Sequence, residues 1–437
     1  MNKDQTSVLI TNVHSSLNCG DLALLDGLVR RLNNSFSEPQ ITVVANWPNE
    51  DGYPKGSNIQ VVPSPWSIIG ESQRGPIALR VAKLVYGRFL AGSVRRLSAD
   101  KPGNDLSVSW KNLFRSYQTA DLVIGVAGNQ FYSTGRIGWP FPASAFSVEL
   151  AHIFRKPFYT MPQSIGPFKR GWEKLVMRQI YSRARRVYLR EWTSIELAKS
   201  IGIPADRIKF APDPAFGYPS ASQDAAQHVL ARYNDGQQKL KVGVTVIAPL
   251  GRSLNEGYVK RYYVALARLL NQLIAQFGVH IYFFNQVTGP NALEDDRKAV
   301  EQVISQMGQN QAATTWVNET LSPELLKACY GQMDFFIASR LHSGIFALGM
   351  GVPTLFIGYL TKTRGVLRAL GLESWVIDLS EIQDDKLEQA GVSAWLEREQ
   401  QQALIKEILP SLIIEAKKPM DWVIQDYLQN HSTGFKR

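Results

Sequence analysis

The chain has 437 residues, 45% of them hydrophobic and 20% charged, and a formal net charge of +10. That length exceeds a single core and points to two domains, and the composition excludes a largely disordered chain. Its two cysteines, Cys19 and Cys329, lie far apart without CxxC or Cys/His spacing; this excludes a disulfide framework or structural zinc and fits a reducing compartment.

The N-terminus enters a short apolar run at once, without the core and cleavage site of a signal peptide, and reads as a strand from Val8 to Thr11. No run approaches the roughly 18 apolar residues of a membrane span. The expectation is a cytoplasmic protein, at most peripheral on the inner face of the membrane.

After a loop with His14, Ser15 and Ser16 comes Asn18-Cys19-Gly20-Asp21, followed by Leu22, Leu25, Leu28, Val29 and Leu32 at helical spacing. The motif therefore opens a helix. Asn18, Gly20 and Asp21 there are candidates for anion or acceptor binding, since helix starts offer free N–H groups and glycine permits close approach. An ordinary N-cap explains Asn18 and Asp21 equally well.

The charge is regional. Residues 74–115 carry a net +7 and residues 155–190 a net +9, leaving −6 on the remainder. Within the first segment Leu79, Ala82, Tyr86, Leu90, Val94 and Leu97 recur at helical spacing among arginines and lysines. This is a solvated helix face or one that lies on an anionic membrane surface. No RNA-binding aromatic motif or zinc-finger spacing accompanies it, so nucleic acid is not an expected partner.

Further short β-branched and aromatic runs follow at Ile41–Ala45, Leu122–Val126, Phe158–Met161, Val187–Arg190 and Ile208–Ala211, separated by longer helix-period stretches. A polar, turn-rich stretch, Gly217–Lys239, then interrupts the pattern, which restarts at Val242–Ile247, His280–Phe284, Phe335–Ala338, Thr354–Ile357 and Trp375–Asp378. Repeated βα units on each side imply an α/β fold of two Rossmann-like domains, residues 1–219 and 240–437, facing a cleft. The last helix-prone stretch, about Trp395 to Leu428, can pack back on the first domain.

The second half holds the strongest chemical signal. Ser339-Arg340-Leu341-His342-Ser343-Gly344 follows the Phe335–Ala338 strand and opens another helix. A strand-end arginine offers a fork for carboxylate or phosphate, and a histidine two residues on can exchange a proton near neutral pH. Lys362, after the Thr354–Ile357 strand, occupies a similar strand-end position. No cluster of carboxylates calls for a metal.

The ordered set Asn18-x-Gly20-Asp21, Pro162-Gln163-Ser164-Ile165-Gly166-Pro167, Arg190-Glu191 with Ser194, Pro212-Asp213-Pro214-Ala215-Phe216, Ser339-Arg340-Leu341-His342 and Gly351-x-Pro353-Thr354 resembles the polysaccharide pyruvyltransferase family across residues 8–371. The resemblance implies a fold like the GT-B glycosyltransferases, with phosphoenolpyruvate as donor, a sugar diol as acceptor and no cofactor. On that footing Arg190 and Arg340 are expected to hold the donor, with Ser339 and Lys362 beside it, and His342 to serve as acid/base. Asn129, Gln163 and Ser164 would contact an acceptor from a cell-surface polymer precursor, carried on a lipid diphosphate or a nucleotide; Asp21 and Asp213 would position its hydroxyls. The glycine run common in the family is diluted here to Gly125-Val126-Ala127-Gly128-Asn129-Gln130, which points to an altered acceptor. The rival enzyme reading is a nucleotide-sugar glycosyltransferase, for which Glu373 and Glu381 have the required spacing but flank a strand.

Overall fold

A computed structural model describes residues 5–70, 77–96, 107–134, 138–233, 239–248, 256–358, 361–383 and 385–432. Arg74, Leu97, Asp100, Lys101 and Asp105, which enter the sequence reading of the first basic segment, lie outside the described residues. The chain divides into two compact units: Met1–Ser16, Leu24–Asp213 and Lys417–Arg437 in the first, Leu17–Ala23 and Pro214–Ala416 in the second.

The strands of the first unit are β1 (Ser7–Val13), β2 (Gln40–Ala45), β3 (Ile59–Pro63), β4 (Leu122–Gly125), β5 (Gly128–Phe131), β6 (Ser133–Thr134), β7 (Trp139–Pro140), β8 (Phe158–Thr160), β9 (Gln163–Ile165), β10 (Val187–Leu189) and β11 (Ile208–Phe210). Five form a parallel sheet in the order β3-β2-β1-β4-β8, and four a second parallel sheet, β11-β10-β9-β5. A parallel bridge from Tyr159 to Arg186 ties the sheets together. Runs such as Leu122–Gly125 are buried on both faces, as parallel strands covered by helices require. The helix over Val108–Thr119 contributes Trp110, Leu113, Phe114 and Tyr117 to the core, and the helix over Phe141–Ile153 adds Phe141, Phe146 and Leu150.

The second unit has β12 (Lys241–Thr245), β13 (His280–Phe284), β14 (Thr314–Val317), β15 (Phe335–Ala338), β16 (Thr354–Gly358) and β17 (Val376–Asp378). All pair in parallel, in the order β14-β13-β12-β15-β16-β17. Counted within the unit this is the 3-2-1-4-5-6 order of a Rossmann sheet, whose direction of winding reverses between β12 and β15. Ligands of such sheets bind outside the carboxyl ends of the strands at that reversal.

The short strands β3, β5, β9 and β14 are not evident from apolar runs. β9 is Gln-Ser-Ile and β14 Thr-Thr-Trp-Val, so pairing with neighbours rather than their own hydrophobicity makes them strands. Trp375 closes a 3₁₀ turn, and its strand begins one residue later.

The helix over Arg398–Ser432 is 35 residues long and includes Pro410 and Pro419. Its last part clusters with the first unit. There Tyr159 donates to Asp426 at 2.7 Å, Arg186 lies 3.6 Å over the Trp422 ring, and Tyr427 meets Phe36 edge-on. Among the described residues no helix is long and apolar enough to cross a membrane.

Candidate active site

β15 delivers its last residue, Ala338, beside Thr245 of β12, at the reversal point. The next residues form the turn Ser339-Arg340, and the helix over Leu341–Gly349 begins. Ser339 is buried, its hydroxyl 2.5 Å from that of Tyr262, and Ser343 reaches both Thr245 Oγ1 and the Arg340 carbonyl at 2.7 Å. These bonds fix the turn. The Arg340 side chain does not cap the helix, and Leu341, His342 and Ser343 form its electropositive first turn.

Arg340 is held from behind. Its Nη2 lies 2.5 Å from Asp296 Oδ1 and its Nε 3.1 Å from Oδ2, and Nη2 also donates to the Glu294 carbonyl. Asp296 is fully buried and accepts two backbone N–H bonds, from Ala248 at 2.9 Å and Val287 at 3.2 Å. Burial raises the pKa of this carboxyl above the usual aspartate value, while Arg340 and the two N–H donors oppose that shift. The expected donor arginine therefore presents its charge from within a buried ion pair. Asp296 is a residue the sequence reading missed.

The Asn18 motif belongs to the same compact unit as His342. Asn18 forms an antiparallel bridge with Val287, Cys19 donates to the Gln286 carbonyl at 3.0 Å, and Thr288 donates to the Leu17 carbonyl. Gly20 lies directly against the imidazole: a Cβ there would stand 2.2 Å from His342 Nδ1 and 2.5 Å from its Cβ. Only glycine fits. Asn18 caps its own helix, its Oδ1 accepting from Gly20 N at 3.1 Å and Asp21 N at 3.4 Å and its Nδ2 donating to Asp21 at 3.0 Å. The N–H groups of this first helix start are thus engaged, and the motif's contribution is the wall on which His342 rests. Gln286, also missed from sequence, is buried beside it. Its Oε1 accepts from Tyr330 at 2.8 Å and its Nε2 has no hydrogen-bond partner among the described residues.

Lys362 lies in the first turn of the helix over Thr361–Ala369, one strand over from the Ser339 turn, and is 8% exposed. Lys327 is equally buried but structural: its Nζ donates to the carbonyls of Ala215, Phe216 and Tyr218, fixing the segment after Pro212-Asp213.

The remaining candidates lie in the first unit. Arg190, at the end of β10, pairs with Asp213 and donates from Nε to Ser164 at 2.9 Å. Ser164 donates in turn to Glu191 at 2.9 Å, and Glu191 accepts from Ser194 at 2.6 Å. Arg190 is 3% exposed and Asp213, Gln163 and Ser164 are fully buried. Gln163 donates to the Val126 carbonyl at 2.6 Å and accepts from Tyr181. This closed network ties three strand ends together and presents none of these side chains at the surface. Asn129 on β5 differs, since its Oδ1 has no hydrogen-bond partner among the described residues.

Glu373 and Glu381 stand at opposite ends of β17, pairing with Arg368 at 3.6 Å and Arg364 at 3.0 Å. Among the described residues no group of three or more His, Cys, Asp or Glu is placed to hold a metal ion.

The model of the polysaccharide pyruvyl transferase family matches residues 18–361, from the Asn18 motif through the Ser339–His342 turn to the start of the Lys362 helix. The chain belongs to that family. A curated relative, the amylovoran biosynthesis protein AmsJ of Erwinia amylovora, is 23% identical over 390 residues, covering 87% of this chain and 90% of the relative. Solved structures similar to this pyruvyl transferase family member include the UDP-GlcNAc 2-epimerase of Neisseria meningitidis, with a TM-score of 0.56, 9% identity and coverage of 97% and 100%. The α,α-trehalose 6-phosphate synthase of Burkholderia multivorans gives 0.56 at 12% identity, and Anabaena Alr3699/HepE, solved with UDP and glucose, gives 0.53 at 13%, each covering 98% of this chain and 99% of its own. At these identities the likeness is one of fold: an α/β, GT-B-like pair of Rossmann-like units.

Proposed function

We propose that this transferase moves the pyruvyl group of phosphoenolpyruvate onto two hydroxyls of a sugar destined for a cell-surface polysaccharide, closing a ketal and releasing phosphate. The observation that carries the reading is the helix start at Leu341–Ser343 at the reversal point of the second sheet, with His342 seated on Gly20 and Arg340 held behind it by Asp296. Family membership supplies the reaction class.

The chemistry divides among these residues as follows. The phosphate and carboxylate of the donor lie at the electropositive helix start, where backbone N–H groups and the Arg340 charge oppose their repulsion. His342 gives a proton to C3 of the enol, C2 becomes cationic, and the first sugar hydroxyl adds there. The C2–O bond to phosphate then breaks, the second hydroxyl adds, and the two hydroxyl protons leave, one restoring His342 and the other going to the departing phosphate. The donor and acceptor supply every atom of the product, so the reaction consumes no further co-substrate. The acceptor is met in the cytoplasm, nucleotide-linked or on a lipid diphosphate at the inner face of the membrane.

Thermal unfolding with candidate donors tests the reading. Phosphoenolpyruvate is expected to raise the melting temperature by itself. A shift with a nucleotide sugar alone would move the reaction to glycosyl transfer, and none with either would remove the donor site.

A further inference from the structure

We propose that the helix over Ile77–Arg96 docks the protein on an anionic lipid bilayer through its outward face. Its inner side is built into the first core: Ala91 is fully buried, and Leu84, Leu90 and Val94 pack against the same cluster. A Cβ on Gly87 would stand 2.9 Å from the Trp110 ring. The opposite side is apolar too. Leu79 and Val81 are each 45% exposed, Val85 64%, Tyr86 51% and Phe89 71%. At about 100° per residue Val81, Val85 and Phe89 form one row and Ala82 and Tyr86 the next. A surface helix normally keeps one apolar stripe for the core and turns polar residues outward, so a second stripe in water marks a surface that something covers.

Charge decides what covers it. The helix carries Arg80, Lys83, Arg88, Arg95 and Arg96 and no acidic residue. By the same helical geometry Arg88 and Arg95 fall along one margin of the outward face and Lys83 along the other. Arg88 pairs with Glu149 at 2.8 Å, yet its side chain remains 65% exposed. The same character continues beyond the helix. Arg80 lies over the Trp139 ring, and two residues on, Phe141 lies 5.8 Å from Trp172, which is 41% exposed and followed by Lys174 and by Leu175 at 54%. A second copy of this face would set like charges against each other. A bilayer with anionic headgroups instead takes the cations at its surface and Val85, Tyr86 and Phe89 into the acyl boundary.

This deepens the acceptor half of the reading above, since a lipid-borne acceptor is met at such a surface, but the two are scored separately. Co-sedimentation is measured with phosphatidylcholine vesicles and with vesicles that also contain phosphatidylglycerol. The protein is expected to bind the anionic vesicles and to be released by salt. Val85→Asp with Phe89→Asp should weaken binding about tenfold or more, and Lys83→Gln with Arg95→Gln severalfold. Circular dichroism and melting temperature should stay unchanged in both, as should transfer to a water-soluble acceptor. Absence of vesicle binding, equal binding to neutral vesicles, or binding indifferent to both pairs of substitutions overturns the proposal. So does a dimer in solution that Val85→Asp with Phe89→Asp dissolves. Loss of transfer with vesicle binding intact would count against the enzymatic reading alone.

Discussion

At residue scale the site turns on how His342 and Arg340 are held. Gly20 leaves room for the imidazole, and any side chain there must displace it. Gly20→Ala should lower turnover at least about tenfold while costing about 1–3 kcal/mol of stability, as overpacking usually does. Near-normal turnover would show that the position of His342 is unimportant. Arg340 is a harder case because the proposed donor contact is also the partner of a buried carboxylate. Arg340→Ala strands Asp296 and should cost about 3–5 kcal/mol. Combining it with Asp296→Ala should recover part of that loss in denaturant unfolding without recovering transfer. Recovery of transfer in the double variant would leave Arg340 with a structural role only. Arg340, His342 and Ser339 were legible in the sequence because strand, turn and helix signals place them at a sheet end. Asp296 was not: it is the last of three consecutive acidic residues, Glu294-Asp295-Asp296, and nothing local says that the third is fully buried. Arg190, Gln163 and Ser164 were legible as a motif, but spacing cannot show that Arg190 is bonded to Ser164 and Asp213 or that Gln163 turns to Val126 and Tyr181.

Among elements, the parallel strands with long apolar runs could be read directly, while β5 and β9 could not, since pairing with neighbours rather than hydrophobicity makes them strands. The end of the Arg398–Ser432 helix shows the same limit. Its amphipathic pattern suggests packing, but only the fold brings Trp422 under Arg186 and between Tyr159 and Tyr188. Trp422→Ala should therefore destabilise the first unit by about 2 kcal/mol through lost ring and cation contacts. An unchanged unfolding midpoint would mean that this helix end adds nothing to the first unit.

For the molecule as a whole, the sequence suggests a boundary between residues 219 and 240 and a last helix able to pack back on the first domain; the compact units place Lys417–Arg437 with the first and, beyond that reading, Leu17–Ala23 with the second. The placement of Leu17–Ala23 matters chemically, for it carries Gly20 to His342 within one unit. Such long-range partnership leaves no periodic trace in a single chain, so the Asn18 motif reads in sequence as an N-cap or an anion site, and in the structure as a self-capped wall. The central claim is that this unit transfers pyruvate from phosphoenolpyruvate to a sugar with His342 moving the proton. The most direct measurement is the mass of a defined lipid-linked oligosaccharide after incubation with the protein and phosphoenolpyruvate. The account predicts a gain of one pyruvate less one water, abolished in His342→Ala at unchanged melting temperature. The same gain from folded His342→Ala, or no gain while a nucleotide sugar is transferred instead, would contradict it.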